Sequence, residues 1–140
     1  MSLPVEGLVL DHIAVATKDL ERSVDIFTSM GLKFKEEREI VTEQKVETAF
    51  AQIDKTANLE LLMPVNNEGP IQKFIETRGE GIHHLCFRVD DIEKSMKELT
   101  EKGFKFIYEA PKLGAHHCKV NFIHPKSTGG ILIELSQQGE

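Results

Sequence analysis

His12, Glu60, His84 and Glu134 form two His/Glu pairs at matching places in the chain. The spacing within them is nearly equal, 48 residues in the first pair and 50 in the second. Imidazole suits zinc, copper, iron and nickel, and carboxylate also accepts harder ions, so two of each make a donor set for one divalent metal. Four protein ligands leave positions open on a six-coordinate ion, and an open position marks a catalytic rather than a structural site. Taken singly, each residue has an ordinary explanation. A strand histidine is commonly half-buried, and a Glu inside "LEL" is commonly the solvent side of an alternating strand. The coincidence of all four points to a metal.

Their positions follow from a duplication. Residues 11–34, DHIAVATKDLERSVDIFTSMGLKF, moved forward by 72 positions, fall without a gap on 83–106, HHLCFRVDDIEKSMKELTEKGFKF. His12 lands on His84, Asp19 on Asp91, Ser23 on Ser95 and Gly31 on Gly103, and the apolar positions match in kind. NLELL at 58–62 echoes LIELS at 132–136, so Glu60 answers Glu134.

Each copy reads β-α-β-β-β. Residues 8–17 alternate as a strand, with Ile13 and Val15 on one face and His12, Ala14 and Ala16 on the other. Asp19 N-caps a helix that presents Leu20, Val24 and Phe27 and stops at Gly31. Residues 33–39, 45–53 and 59–63 read as strands, and Pro70 opens a short linking helix. In the second copy 81–89, 104–108, 118–124 and 130–135 read as strands and 92–102 as a helix. One helix per copy covers one face of a four-stranded sheet, which assigns Ile13, Val15, Leu85 and Phe87 to that face. The opposite face, with His12, Ala14, Ala16, His84, Cys86 and Arg88, reads as too polar for core.

The expected architecture is therefore α+β: two tandem βαβββ modules forming a curled mixed sheet around a metal cleft. It forms a single domain over 1–140, with module one at about 8–64, a connecting segment at 65–79 and module two at about 80–136.

A chain of 140 residues, 40% apolar and 29% charged, has the composition of one soluble globular domain. It has no apolar run long enough to cross a membrane and no signal-peptide pattern at its start. Cys86 and Cys118 are too few for a disulfide framework, which favours a reducing, cytoplasmic setting. A net charge of −6 argues against nucleic-acid binding but leaves room for an anionic small substrate met by a local basic patch. His83, one residue off register, reads as structural. The "HHC" run at 116–118 is too tight to put three ligands on one ion, although His116 stands in a loop where it could touch substrate. "HPKSTGG" at 124–130 reads as a turn with Gly129 and Gly130 at positive φ, and its backbone N–H groups and Lys126 offer a clamp for an anion.

The repeat, the His/Glu pairs and the strand order resemble the vicinal oxygen chelate superfamily, which includes glyoxalase I, extradiol dioxygenases and fosfomycin-resistance proteins. "LDHIAVA", "EGIHHLCFRVDDI", "EAPKLGAH" and "HPKSTGGILIEL" look most like the motifs of its methylmalonyl-CoA epimerase family, over residues 8–135. That resemblance implies an isomerase, a metal-dependent racemase or epimerase, that interconverts (2R)- and (2S)-methylmalonyl-CoA through an enolate. It implies His12, His84 and Glu134 as metal ligands, with Glu60 where some members carry Gln, and Glu134 as the base for the α-proton. It also implies a divalent ion, cobalt first with zinc, nickel or manganese as alternatives, an acyl-CoA thioester as substrate, and a homodimer. One well-known member has a catalytic Glu on the third strand. Aligning on Glu43-Gln44 puts Thr48 at its position with Glu47 adjacent, so the second proton-transfer group is Glu47, His116 or a water. The location of the CoA tail stays open among Lys112, Lys119 and Lys126. Glyoxalase I, acting on the glutathione–methylglyoxal hemithioacetal, is the alternative enzyme, and a non-catalytic small-molecule binder is the alternative of another class. An extradiol dioxygenase needs only two His and one carboxylate, so a fourth ligand at Glu60 counts against it.

Overall fold

The structure is a computed structural model that describes residues 8–114 and 117–139. The chain divides into two compact units. One is His12–His83, and the other runs from His84 onward together with the segment that ends at Asp11.

The first half of the chain runs β1 (Val9–Ala16), α1 (Leu20–Ser29), β2 (Glu39–Val41), β3 (Val46–Gln52), β4 (Asn58–Pro64) and α2 (Pro70–Arg78). Its strands lie in the order β2-β3-β4-β1, with β1 parallel to β4 and the other pairs antiparallel. The second half runs β5 (Gly81–Arg88), α3 (Ile92–Glu101), β6 (Lys112–Leu113), β7 (Lys119–Ile123), a 3-10 turn at Pro125–Ser127, and β8 (Ile133–Gln137). Its order is β5-β8-β7-β6, with β5 parallel to β8 and the others antiparallel. Both halves are therefore βαβββ modules with mixed pairing, and the class is α+β.

The local chemistry repeats with the topology. Asp19 and Asp91 take the same extended conformation, φ −139° and ψ 99°, and their carboxylates accept from the N–H of Arg22 and Lys94 at 3.1 Å. Each cap is worth about 1 kcal/mol. Between β3 and β4, Asp54 accepts from the N–H of Ala57 and Thr56 at 2.8 and 2.9 Å, which closes the turn and holds its carboxyl below the usual range. Gly129 and Gly130 have φ of 71° and 101°, the left-handed geometry expected of the 124–130 turn.

Each module helix covers an apolar face. Leu20 and Val24 of α1 pack with Ala49, Leu59 and Leu61, and Ile92 of α3 packs with Val89, Ile123 and Leu135. The other face of module one departs from the sequence expectation. Ala14 and Ala16 are fully buried beneath α2, packed with Val46, Leu62, Ile71 and Ile75. Small side chains on β1 let the helix approach, so only part of that face stays polar.

Two expected strands are corrections. Residues 33–38 form a single bridge, Phe34 to Ala51, rather than a strand. Arg38 donates through Nη1 to the carbonyls of Lys35 and Glu36 and through Nε and Nη2 to Glu21, so a side chain takes what a ladder would use. Residues 104–108 likewise form one bridge, Phe106 to Ile123, and the strand beside β7 is instead 112–113. Fully buried Asn121 explains it. Its Oδ1 accepts from Tyr108 N–H at 3.2 Å and its Nδ2 donates to Tyr108 C=O at 2.9 Å, replacing main-chain pairing there. Among the described residues no helix is long and apolar enough to cross a membrane.

Candidate functional site

The ladder between β1 and β4 sets Ala14 beside Glu60, and His12 stands two residues earlier on the same side of the strand. His12 Nε2 lies 3.7 Å from Glu60 Oε2, with 16% and 17% of the two side chains exposed. The second module repeats this register. Cys86 lies beside Glu134, His84 is two residues earlier, and His84 Nε2 is 3.3 Å from Glu134 Oε1 with 10% and 13% exposure. All four residues thus fall into the two intramodule pairs that the repeat predicts, with the donor atoms facing one another.

The neighbours of each pair are aromatic. Phe50 is directly opposite Glu60 across β3 and β4, and Phe122 directly opposite Glu134 across β7 and β8. His84 meets the Phe122 ring edge-on, with centroids 5.9 Å apart and planes at 85°. Neither phenylalanine stands out in the sequence. The signal that finds them is hairpin register, since each lies across from a glutamate already singled out. An imidazole nitrogen and a carboxylate oxygen converging in a half-buried, partly aromatic setting are the donors a divalent cation takes, so the residues fit a metal of the kind the fold implies.

Other candidates separate cleanly. His83 packs edge-on against Phe74 of α2 at 4.9 Å, the structural role expected of it. Arg88 Nε lies 3.5 Å from Asp11 Oδ1. Glu47 is opposite Ile40 and Met63, and Met63 packs in the α1 core, so Glu47 shares the α1 side with Arg38. Thr48 is opposite Leu62 and two residues from Phe50, on the side that carries Glu60. It is buried, and its hydroxyl donates to Glu39 C=O at 3.2 Å. Of the two adjacent residues, the carboxylate therefore lies on the side away from the His12/Glu60 pair and the hydroxyl on the side that carries it. His116 lies outside the described residues.

The model of the glyoxalase/bleomycin resistance protein/dioxygenase superfamily matches residues 11–122. The mitochondrial methylmalonyl-CoA epimerase of Dictyostelium discoideum is 37% identical over 92% of this chain and 78% of its own. The crystal structure of methylmalonyl-CoA epimerase from Mycobacterium tuberculosis has a TM-score of 0.84 at 31% identity, covering 99% of this chain and 94% of that one. A variant of the Streptomyces coelicolor enzyme, in complex with 2-nitronate-propionyl-CoA, has a TM-score of 0.84 at 29% identity over 96% of this chain and all of the other. The chain belongs to the glyoxalase/bleomycin resistance protein/dioxygenase superfamily, within its methylmalonyl-CoA epimerase family.

Proposed function

We propose that this protein is an isomerase that interconverts (2R)- and (2S)-methylmalonyl-CoA, and that His12, Glu60, His84 and Glu134 hold one divalent ion for it. The observation that carries the reading is the close facing of imidazole and carboxylate in each module, in a chain whose relatives bear that epimerase's name. The 2-nitronate-propionyl-CoA held by the Streptomyces coelicolor protein is an acyl-CoA with a planar anionic group beside the acyl carbon, which supports a CoA thioester as substrate here.

Epimerisation removes the proton from the carbon between thioester and carboxylate and returns it on the opposite face. When bound, a divalent ion supplies Lewis-acid stabilisation of the negative charge that develops on the thioester oxygen, worth several kcal/mol. Glu134 is the base: its carboxylate, mostly withdrawn from solvent beside Phe122 and His84, takes the α-proton. His84 and His12 hold the two carboxylates in place through the contacts at 3.3 and 3.7 Å. The proton returning on the other face comes from a group other than Glu47, whose strand position turns it toward α1. Cobalt is the ion we favour, with zinc, nickel or manganese as substitutes, and the active form is a cytoplasmic homodimer.

Proton NMR of methylmalonyl-CoA in deuterated buffer tests this. Exchange at the α-carbon is expected with the cobalt-loaded protein and lost after chelation. Full exchange by chelated protein, or none on reloading, contradicts the assignment.

A further inference from the structure

We infer that Lys112 is the cationic residue that binds an anionic group of the acyl-CoA, and that Tyr108 and Phe122 hold it on the face that carries His84 and Glu134. The inference rests on the proposed substrate class and adds to it a residue of recognition.

The argument begins with register. In the short β6–β7 ladder Lys112 is opposite Val120, and Val120 and Phe122 alternate with Asn121, whose side chain is fully buried toward Met96 on α3. Lys112 therefore lies on the side of the sheet away from α3, as Phe122 does opposite Glu134. Three contacts then connect the ammonium to the donor pair. Lys112 Nζ sits 4.2 Å from the centroid of the Tyr108 ring. That ring meets Phe122 edge-on at 6.5 Å, and Phe122 meets His84 edge-on at 5.9 Å. A flexible four-carbon stem is thus given one preferred direction by an aromatic face, which lowers the entropy lost when an anion binds.

The other basic residues of this region do not share that placement. Lys119 is one residue out of phase, on the α3 side, where its ammonium lies 3.8 Å from Glu93. Lys126 is exposed in the 3-10 turn. Lys112, by contrast, has no carboxylate within ion-pair distance among the described residues, so its charge is unspent. Asn121 fixes the arrangement from beneath by holding both main-chain groups of Tyr108. In a chain of net charge −6, a cation held on the same sheet face as a donor pair offsets the general repulsion of an anionic ligand.

An acyl-CoA presents two kinds of anion, the phosphates of the coenzyme and the carboxylate of the acyl group, and substrates that differ in one of them identify the partner. Steady-state kinetics with methylmalonyl-CoA are compared for the cobalt-loaded wild type, Lys112→Gln and Lys112→Arg. The Gln variant is expected to raise KM about tenfold with kcat nearly kept, the pattern of an interaction equal in ground and transition states, and Arg is expected to restore most of the loss. With methylmalonyl-pantetheine, which lacks the phosphates at the far end, a vanished difference assigns Lys112 to phosphate and a persisting one to the carboxylate. Far-UV circular dichroism confirms that the variants are folded. Calorimetric titration with coenzyme A alone reads the phosphate contact without any turnover. An unchanged KM on both substrates together with unchanged coenzyme A affinity overturns the inference. Failure of the wild type to act on methylmalonyl-CoA overturns the proposed function instead.

Discussion

Phe122 and Glu134 are directly opposite one another across β7 and β8, and Phe50 and Glu60 stand in the same relation across β3 and β4. A register slip of one residue in either hairpin would turn the glutamate to the α1 or α3 side, so the phenylalanine packing and the glutamate orientation are specified together. Glu134 is also the cross-strand neighbour of fully buried Cys86, and its carboxylate lies 3.3 Å from His84 Nε2.

Glu134→Gln removes the carboxylate we propose as the base while keeping its shape. Exchange of the α-proton in deuterated buffer is expected to fall by about a hundredfold to ten-thousandfold, the usual contribution of a positioned proton-transfer group. Because Gln can still act as a neutral donor to His84, the thermal unfolding midpoint should move by only a few degrees. Wild-type exchange in this variant would remove Glu134 from the chemistry.

Glu47→Gln gives the opposite expectation. The side chain faces α1 and lies close enough to the Arg38 guanidinium to favour its charged form. Turnover should stay within about twofold of wild type, as for other changes distant from the reacting atoms, and any cost should fall on stability, within about 0.5 kcal/mol. A kcat loss of a hundredfold would mean that the α1-side assignment is wrong. Thr48→Val should be the more damaging change of the adjacent pair, since it removes the hydroxyl contact to the Glu39 carbonyl on the side that carries Glu60.

The duplication made most of this legible. A repeat without a gap carries helix, cap and strand in phase, so Asp19 and Asp91 end as caps with identical backbone angles, and the four ligand candidates end as two facing pairs. What the sequence concealed is where side chains replace main-chain pairing. Residues 33–39 and 104–108 alternate like strands, yet Arg38 takes carbonyls two and three residues back and Asn121 takes both main-chain groups of a residue 13 positions away, and hydrophobic alternation registers neither. The polar face was half hidden for a similar reason. Ala14 and Ala16 look neutral in sequence, and only the docking of Ile71 and Ile75 makes them core.

Asn121→Ala tests the second of those substitutions of side chain for main chain. It leaves the Tyr108 N–H and C=O without their partner, and removes an acceptor of the Phe122 N–H at 2.8 Å. Buried backbone groups left unpaired cost about 1–3 kcal/mol in total here, visible as a lower urea midpoint at unchanged slope. A loss below about 0.3 kcal/mol would show that water replaces the amide freely, contrary to its full burial.

Glu80 provides a pH-dependent stability prediction. Its carboxylate accepts from Lys18 N–H at 2.8 Å, Thr17 Oγ1 at 3.0 Å and Arg22 Nη2 at 2.8 Å, tying the segment before β5 to the turn between β1 and α1. The Lys18 N–H first, and then Arg22 and Thr17, hold the acid below its ordinary 4.5. A carboxyl with a depressed native pKa contributes stability above its unfolded value and loses it as pH falls through the native one. Arg22 and Glu80 are 54% and 34% exposed, so solvent screening limits the gain, and Glu80→Gln should cost about 1 kcal/mol at neutral pH. Urea unfolding of wild type and variant should therefore differ at pH 7 and converge in acid, as the pH falls below the ordinary carboxyl value and the wild-type carboxyl takes up its proton. Curves that stay equally far apart in acid would assign the contribution to packing rather than to the charge.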